Sequence, residues 1–476
     1  MKCFYKGYIF LLIYFFTIHW VQSQPVIPLD GSFGLQMINH TQHYLIDKTH
    51  QLTLEQVRAP QNAAQWKPNK KKFFSLGAGN LTVWIRFRVK LLPKARNSQY
   101  LLELDNTQVN RVVFYRPDSV GKYEQIVSGD HYPFAQRSFQ TNRFLFELKH
   151  LEPNKVYTFY VQCTNDLTLA FPLLLGTYPS FMEQYHYQDV ALGLFAGWML
   201  IMILYNLFLW TSIRDISYLY YLGYMSFVLI YILTVWGYTI EFVWPNRVGL
   251  NNYLISYAAL FTIFAHLFAH RCLHTRRYAR ITRKISWYVF LPALVTLIIL
   301  NFANYNVLAQ QLSLPIISLS GLFLLVIGGL VFRQGYQPAR YYLLGWSIFI
   351  LLGIINIFQS NLGLTLNPIV MYGVEIGTAA EALLFSLALA DRINFYKKEK
   401  QKASKQAYEV LQENKQLLED QNQKLEQKVM ARTEEINSQN EELLMQQEEM
   451  TRQKNEIEQL QNLRTLTLRK VLSDHF

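Results

Sequence analysis

The sequence predicts a multidomain membrane protein with an all-β sandwich ectodomain, a bundle of seven transmembrane helices and a terminal helical coiled coil. Three observations predict this fold class. Short alternating segments fill the first part of the chain, seven long apolar segments follow, and a polar heptad repeat ends the sequence. The apolar segments, called spans 1 to 7, cover residues 190–211, 217–236, 252–270, 285–303, 312–332, 341–360 and 369–390.

Each span is long enough to cross a bilayer, because a hydrocarbon core ~30 Å thick needs about 20 apolar residues per helix. A helix also pairs its backbone groups internally where water is absent. Histidine aside, the only acidic or basic residues inside the spans are Glu375 and Glu381. They lie about 240° apart around a helix and should not share a face. Acids in spans usually face the bundle interior, so we expect structural polar contacts, with Asn206, Asn356 and Gln359 as possible partners.

Basic residues predict the orientation of the spans. The gaps after spans 1, 3 and 5 hold nine lysines and arginines, whereas the three other gaps hold only Arg247. The positive-inside rule therefore places the N-terminal domain outside a plasma (inner) membrane and the tail in the cytoplasm. The net charge of +12 lies largely in these gaps and just beyond span 7, so anionic membrane lipid is the expected partner rather than nucleic acid.

Residues 1–23 have the features of a secretory signal peptide: an early positive charge, a short apolar stretch and a small residue at the end. An uncleaved anchor is the alternative, and either interpretation places residues 24–189 outside. Of three cysteines, only Cys163 falls in this outer part, so we expect no disulfide within it.

Residues 30–180 have the pattern of a β-sandwich. Apolar and polar residues alternate in short runs that are separated by glycine, proline and asparagine, which is typical of strands joined by turns. The predicted strands are 81–89, 100–104, 109–115, 144–148, 156–161 and 167–174.

Aromatic side chains with arginine and aspartate are a usual means of binding sugars or carboxylates. The candidate ligand contacts of the ectodomain are Trp84, Tyr115, Asp130, His131, Tyr132 and Arg137. Two alternatives stay open. Trp84 lies in the middle of a strand, which favours a place in the core. His131 and Tyr132 flank a turn and could serve only to cap it.

Residues 402–472 keep one heptad register to the end. The candidate dimer seam at its a and d positions is Leu411, Leu418, Asn422, Leu425, Val429, Ile436, Leu443, Met450, Ile457 and Leu460. Asn422 at position a favours a two-stranded coil, hence a homodimer. About half of the seam is polar, which suggests a weak coil poised between two packings. A solvated spacer or a monomeric helix is the alternative.

His266, His270 and His274 recur every four residues at the end of span 3, where such spacing can hold a metal or sense pH. No cysteine or acid lies nearby in sequence, so we expect no metal. The sequence contains no phosphate-binding glycine loop, metalloprotease pair, nucleophile elbow or kinase phosphoacceptor box. We therefore expect no catalysis and no cofactor in this chain.

Several stretches together resemble the bacterial seven-transmembrane receptors with diverse intracellular signalling modules. In order along the chain they are residues 44–47, 52–54, 83–87, 115–118, 129–134 with Arg137, 381–393 and 429–436. The resemblance implies a jelly-roll ectodomain related to carbohydrate-binding modules and a ligand that is a small molecule or glycan. It also implies a signal that passes through span 7 to a cytoplasmic partner or module.

Within this resemblance, the candidate relay residues are Glu375, Glu381, Asp391 and Arg392, on span 7 and just after it. The sequence stops at Phe476, where the family's output module would begin. Either a separate signalling partner is recruited, or the chain is the upstream part of a membrane-bound histidine kinase or cyclase. A transporter is disfavoured, because the spans show neither inverted-repeat hydropathy nor polar-broken helices.

Overall fold

The computed structural model describes residues 24–70, 74–96, 98–362 and 371–473. The predicted signal peptide and the first two residues of predicted span 7 lie outside these ranges. The described chain divides into two units, one ending at Ile393 and one beginning at Asn394. The first unit holds a strand-rich part, called the β-domain, and the helical bundle.

Alternation of apolar and polar residues produces the strands of the β-domain, because successive side chains point to opposite faces of a sheet. The strands are β1 (Val26–Leu29), β2 (Gln36–Met37), β3 (His43–Asp47), β4 (Lys67–Pro68), β5 (Phe74–Ala78), β6 (Leu81–Leu91), β7 (Tyr100–Leu104), β8 (Arg111–Pro117), β9 (Tyr123–Ser128), β10 (Phe144–Glu147), β11 (Val156–Asn165), β12 (Thr168–Phe171) and β13 (Leu173–Thr177). One short helix, Leu54–Arg58, has a capping box formed by Thr53 and Gln56.

The strands form two main sheets that share one core. The larger sheet has the order β4-β3-β6-β11-β8-β9, with β1 parallel to β6, and the smaller has the order β10-β7-β13-β2. Strands β12 and β5 form a separate pair. Phe87 and Phe159 of the larger sheet belong to the same buried cluster as Leu102, Phe146 and Leu175 of the smaller sheet. The two sheets therefore pack face to face as a sandwich.

Five of the six predicted strands begin within two residues of their predicted positions. The sixth prediction, 167–174, is wrong in one respect. This stretch is two strands, β12 and β13, which belong to different sheets. Pro172 separates them and has no N–H for a ladder, which explains the break.

Among the described residues, seven helices are long and apolar enough to cross a membrane. Spans 1 to 7 are the helices Tyr178–Ile213, Ile216–Val235, Leu254–Cys272, Leu291–Phe302, Asn306–Arg333, Ala339–Leu362 and Gly373–Ser473. Short helical turns extend two of these helices at their N-terminal ends, so that span 3 begins at Val248 and span 4 begins at Arg280. The short helix Thr275–Tyr278 lies between spans 3 and 4, and the short helix Arg280–Ile285 forms the first part of span 4.

The second unit, described by itself, is helical up to Ser473. From Tyr396 to Val471 every side chain is exposed in the single chain. The tail's own apolar stripe thus lies on its surface. A helix held by internal packing would bury such a stripe, so this segment depends on its intrinsic helix propensity or on a partner.

Candidate functional site

The β-domain caps the end of span 2. The last carbonyls of a helix have no partner within it, so other groups must satisfy them. Three side chains of the β-domain do so, from Thr107 Oγ1 to Val235 O, from Gln108 Nε2 to Thr234 O and from Asn142 Nδ2 to Trp236 O, each at 2.7 Å. The next residue, Gly237, has a φ of +77°, and a Cβ there would lie 3.0 Å from Asn142 O. Glycine allows the chain to turn under the β-domain.

Two further contacts join the β-domain to other spans. His131 Nε2 lies 3.0 Å from Asn252 Oδ1 at the start of span 3. Asn306 Nδ2, at the start of span 5, donates to Asp166 Oδ2 at 2.7 Å. The gaps after spans 2 and 4 therefore lie at the β-domain end of the bundle. The basic gaps after spans 1, 3 and 5 lie at the other end.

A cleft of about 850 Å³ lies where the β-domain, the start of span 1 and the turn after span 2 meet. Its volume falls within the range usual for small-molecule sites. Its aromatic lining consists of Phe139, Tyr178, Tyr185, His186, Tyr238 and Phe242. Its polar lining includes Asn142, Arg143, Asp189 and Glu241. The lining of this cavity thus combines aromatic rings with hydrogen-bonding groups.

Arg143 is the charged centre of this cleft. Its side chain is only 6% exposed, and its Nη2 lies 3.2 Å from Asp189 Oδ1 on span 1. Its Nε lies 3.9 Å from Glu103 Oε1 on β7, and its guanidinium carbon is 3.8 Å from the centre of the Tyr185 ring. The same Asp189 oxygen accepts a hydrogen bond of 2.5 Å from Tyr238. One arginine therefore connects the smaller sheet, span 1 and the turn after span 2.

The carboxyl of Glu103 is unusual, because strand β7 places it inside the protein at 1% exposure. Burial, and then the neighbouring Asp105, raises the pKa of Glu103 to about 8, although Arg143 acts in the opposite direction. The Glu103 carboxyl behind the cleft is thus protonated more readily than an exposed one.

Two of the predicted ligand contacts, Trp84 and Tyr115, are not part of the cleft lining and lie on the outer face of the larger sheet. Trp84 is fully buried there, which corrects its prediction as an exposed ligand contact. It stacks on half-buried Tyr115 at 5.3 Å and packs in a small second cluster with Val57 and Trp66. The helix Leu54–Arg58 contributes Val57 to the cover of this face, which explains the burial. Trp84 is a packing residue, in agreement with the alternative left open above.

The other four predicted contacts lie in or beside the junction with the bundle. Asp130 is buried, and burial raises its pKa to about 6. His131 is bonded to Asn252 as described, and Tyr132 is half-buried. Arg137 is 5% exposed; its Nη1 donates to Thr141 O at 2.9 Å, and it lies 4.8 Å from the ring centre of Phe144. None of these four residues lines the described cleft, and of them Arg137 bonds to a lining residue, Thr141.

Trp236 connects the β-domain to span 7. Its carbonyl accepts the bond from Asn142, and its indole Nε1 donates to Glu375 Oε1 at 2.8 Å. Glu375 is 7% exposed, as expected for an acid that faces the bundle interior. Asn142 also lines the cleft, so a single residue lies between the cleft wall and the first turn of span 7.

Further bonds join span 7 to span 2 along the bundle. Tyr224 of span 2 donates to Glu381 Oε2 at 2.8 Å, and Tyr221 donates to the carbonyl of Ala382 at 2.5 Å. At the far end, Arg392 donates from Nη2 to Asp215 Oδ2 at 2.8 Å and from Nη1 to Ser217 Oγ at 2.6 Å. We call these bonds, with the one between Trp236 and Glu375, the span 2–span 7 seam.

The predicted partners of the two glutamates are wrong where the structure describes them. Asn206 donates to Ser386 Oγ at 3.0 Å, and Asn356 donates to the carbonyl of Met371 at 3.1 Å. The side chain of Gln359 is outside the described residues. Glu375 instead accepts from Trp236 at the end of span 2, and Glu381 accepts from Tyr224 of span 2. Both glutamates therefore contact span 2, although their spacing predicted that they lie on different faces of span 7. The fourth relay candidate, Asp391, lies 3.3 Å from Arg340 in a partly exposed ion pair.

The three histidines of span 3 do not converge. Both ring nitrogens of His266 lie on serine hydroxyls, Ser320 Oγ at 2.5 Å and Ser286 Oγ at 2.6 Å. His270 Nδ1 contacts Thr275 Oγ1 at 3.0 Å, and His274 lies against the Tyr336 ring. Within the described ranges no group of three His, Cys, Asp or Glu side chains is arranged to hold a metal. His266 connects spans 3, 4 and 5.

The sequence predictions missed the residues that build the cleft. Arg143, Glu103 and Asp189 are separated by dozens of positions, and no local motif marks them. One signal was available: a glutamate in the middle of the apolar strand YLLEL must be buried, and a buried carboxylate requires a partner.

The fold and the junction define a class: a membrane protein whose β-domain is held by side-chain bonds to a seven-helix bundle. The family model described as 7TM diverse intracellular signalling matches residues 188–392, and the one described as 7TMR-DISM extracellular 2 matches residues 39–177. The chain therefore belongs to the family of seven-transmembrane receptors with diverse intracellular signalling modules. No curated protein matches the sequence.

Proposed function

We propose that this protein is a receptor that binds a small extracytoplasmic molecule or glycan in the cleft beside Arg143 and transmits the event through the span 2–span 7 seam. The observation that carries the proposal is the position of Asn142. It lines the cleft and bonds to Trp236, whose indole bonds to Glu375 on span 7. A ligand that favours one arrangement of this junction would shift the position of span 7 by its differential affinity for the two states.

The orientation in this proposal places the β-domain outside the cell and the tail in the cytoplasm. The nine basic residues in the gaps after spans 1, 3 and 5 support this orientation. The contacts of the β-domain with the starts of spans 3 and 5 support it as well. A carbohydrate is one suitable ligand class, because the cleft offers aromatic faces beside amide and carboxylate groups. The jelly-roll relationship to carbohydrate-binding modules implied by the sequence resemblance supports the same class.

Filling the cleft should abolish ligand binding. Gly193 lines the cleft, and a Cβ at this position would meet nothing within 4 Å. We expect mono- and disaccharides, uronic acids or amino sugars that raise the melting temperature of the full chain in nanodiscs to lose this effect in Gly193→Met. Gly197→Met is the matched control, since Gly197 lies one turn along the same helix, has equal space and does not line the cleft. Equal stabilisation of both variants would exclude the cleft, and no stabilisation of the wild type would exclude the carbohydrate class.

We further propose that the receptor is a homodimer through its tail and that a cytoplasmic partner provides the output, this chain itself not being an enzyme. The apolar residues of the dimer seam support pairing with a second copy of the chain, because they are 47–67% exposed in the single chain. They are Leu411, Leu418, Leu425, Val429, Ile436, Leu443, Met450, Ile457 and Leu460. An apolar stripe repeating every 3.5 residues is buried when two such helices wind together. Asn422 at position a favours two strands.

Cysteine cross-linking tests this dimer in the intact protein. Leu425→Cys places a thiol at a d position, where partner residues face each other, and should give disulfide-linked dimers on mild oxidation of membranes. Gln427→Cys, two residues away at the outward f position, should give several-fold less. The native thiols Cys163 and Cys272 are buried and should contribute little background. Equal yields from the two positions would reject the predicted seam.

A further inference from the structure

The segment that follows span 3 and the first turns of span 4 form a strongly basic pocket at the end of the bundle remote from the β-domain. Its volume is about 600 Å³. Its lining consists of four basic residues and two aromatic ones: Arg276, Arg280, Arg283, Lys284, Trp287 and Tyr288. The helix Arg280–Ile285 and the π-helical turn Ser286–Phe290 bring these side chains together.

Among the described residues, these four charges have no acidic counter-ion. Arg280 Nε donates only to the carbonyl of Arg276, at 3.1 Å. Four like charges around one cavity repel each other unless an anion lies among them. An anion with several acceptor oxygens, such as a phosphate, would satisfy several arginines together.

A second, adjoining pocket shares three of these residues. Arg276, Arg283 and Trp287 also line a pocket of about 300 Å³ together with His270 and His274. The buried Nε2 of His270 has no hydrogen-bond partner among the described residues. Polar groups thus surround Arg276 and Arg283 on both sides.

The surface beside the pocket is apolar and exposed. Ile281 is 75% exposed, Tyr288 79% and Val289 56%. These residues continue into span 4, where Val295 and Ile299 are also exposed, as on a helix face that contacts lipid chains. Aromatic and basic residues at the end of a span mark the headgroup level of a bilayer. A soluble anion would use the basic residues only, whereas a lipid would use both surfaces.

We propose that this pocket binds the headgroup phosphate of an anionic phospholipid, whose acyl chains lie along the apolar face of span 4. Arg276 and Arg283, which belong to both pockets, would hold the phosphate. Trp287 and Tyr288 would lie at the glycerol level. This site does not depend on the ligand or the tail proposed above, so its failure would leave those proposals untouched.

Lipid retention by the purified full chain tests the site. We expect native mass spectrometry to show bound phosphatidylglycerol or cardiolipin when the protein is delipidated and returned to mixed vesicles with phosphatidylcholine. The double variant Arg276→Gln/Arg283→Gln should weaken this binding about 30-fold, since each basic residue at an anionic surface contributes about 1 kcal/mol. The control Arg214→Gln/Arg333→Gln removes the same charge from other gaps at the same end and should retain most of the binding.

Three results would overturn the proposal. Equal losses of lipid binding in the two double variants would mean that the total positive charge of this surface binds the lipid, and not this pocket. Equal retention of phosphatidylcholine would mean that the headgroup charge is irrelevant. Displacement of the lipid by millimolar inorganic phosphate or glycerol phosphate would assign the pocket to a soluble anion.

Discussion

Replacing Arg143 by methionine is expected to lower the melting temperature of the full chain at pH 9 by roughly 6–12 °C and to abolish stabilisation by any cleft ligand. The arginine is nearly buried and lies between Glu103 and Asp189. At pH 9, where the Glu103 carboxyl is ionised, removing Arg143 leaves this buried charge uncompensated, at a cost of about 3 kcal/mol. This cost lies at the lower end of the range for buried ion pairs, because the side chain of Asp189, the second partner of Arg143, is 53% exposed. Scanning fluorimetry of the protein in detergent measures this effect.

The pH dependence of the loss separates this explanation from simple loss of packing. Burial raises the pKa of Glu103 to about 8, so near pH 6 the carboxyl is protonated and needs no counter-ion. Without Arg143 its pKa would be higher still. Above pH 8 the native variant therefore holds a proton that the native wild type has released, and its stability falls more steeply as pH rises. The destabilisation should be smallest near pH 6 and grow through pH 8.

The companion substitution Glu103→Gln provides the control for Arg143→Met. Glutamine is uncharged at every pH, so adding it to Arg143→Met should restore part of the lost stability and remove the pH dependence. A double-mutant cycle gives the coupling between the two residues directly. Additive effects with no change between pH 6 and 9 would show that the two side chains do not interact.

Replacing Arg392 by glutamine is expected to disturb the tail from the far end of the bundle. Arg392 is 6% exposed and holds both Asp215 and Ser217. Hydrogen bonds to a charged group contribute about 1.5–3 kcal/mol, so the variant loses the strongest bond at this end of the span 2–span 7 seam. Span 7 should then populate more than one position. We expect the cross-linking yield at Leu425→Cys to fall about twofold or more without ligand.

Two variants delimit the Arg392 effect. Arg340→Gln breaks the pair with Asp391, whose members are 48% and 27% exposed, and exposed pairs contribute about 0–1 kcal/mol. It should leave the cross-linking yield unchanged. Asp215→Asn should reproduce the effect of Arg392→Gln, because asparagine still caps span 2 but no longer attracts the arginine. Unchanged cross-linking in both Arg392→Gln and Asp215→Asn would show that the span 2–span 7 seam does not control the position of the tail.

Much of the architecture could be predicted from the sequence, because it depends on residues that are neighbours along the chain. The seven spans were predictable because a bilayer demands long apolar helices, and the second half of strand β6 because one buried face imposes alternation. Glu375 and Glu381 were recognised because an acid inside a span is costly. Their partners were not, since amides were expected and Trp236 and Tyr224 hold them instead. An indole N–H or a phenol in an apolar helix gives no sign of its partner.

The sequence by itself determined which segments form the seven long apolar helices and where the β-domain precedes them along the chain. Each of these depends on the chemistry of neighbouring residues. Only the tertiary structure decided that Arg143 meets Asp189, that Trp84 is enclosed and that Trp236 joins the β-domain to span 7. These contacts connect distant parts of the chain, and their geometry depends on how whole sheets and helices pack, which no local pattern encodes.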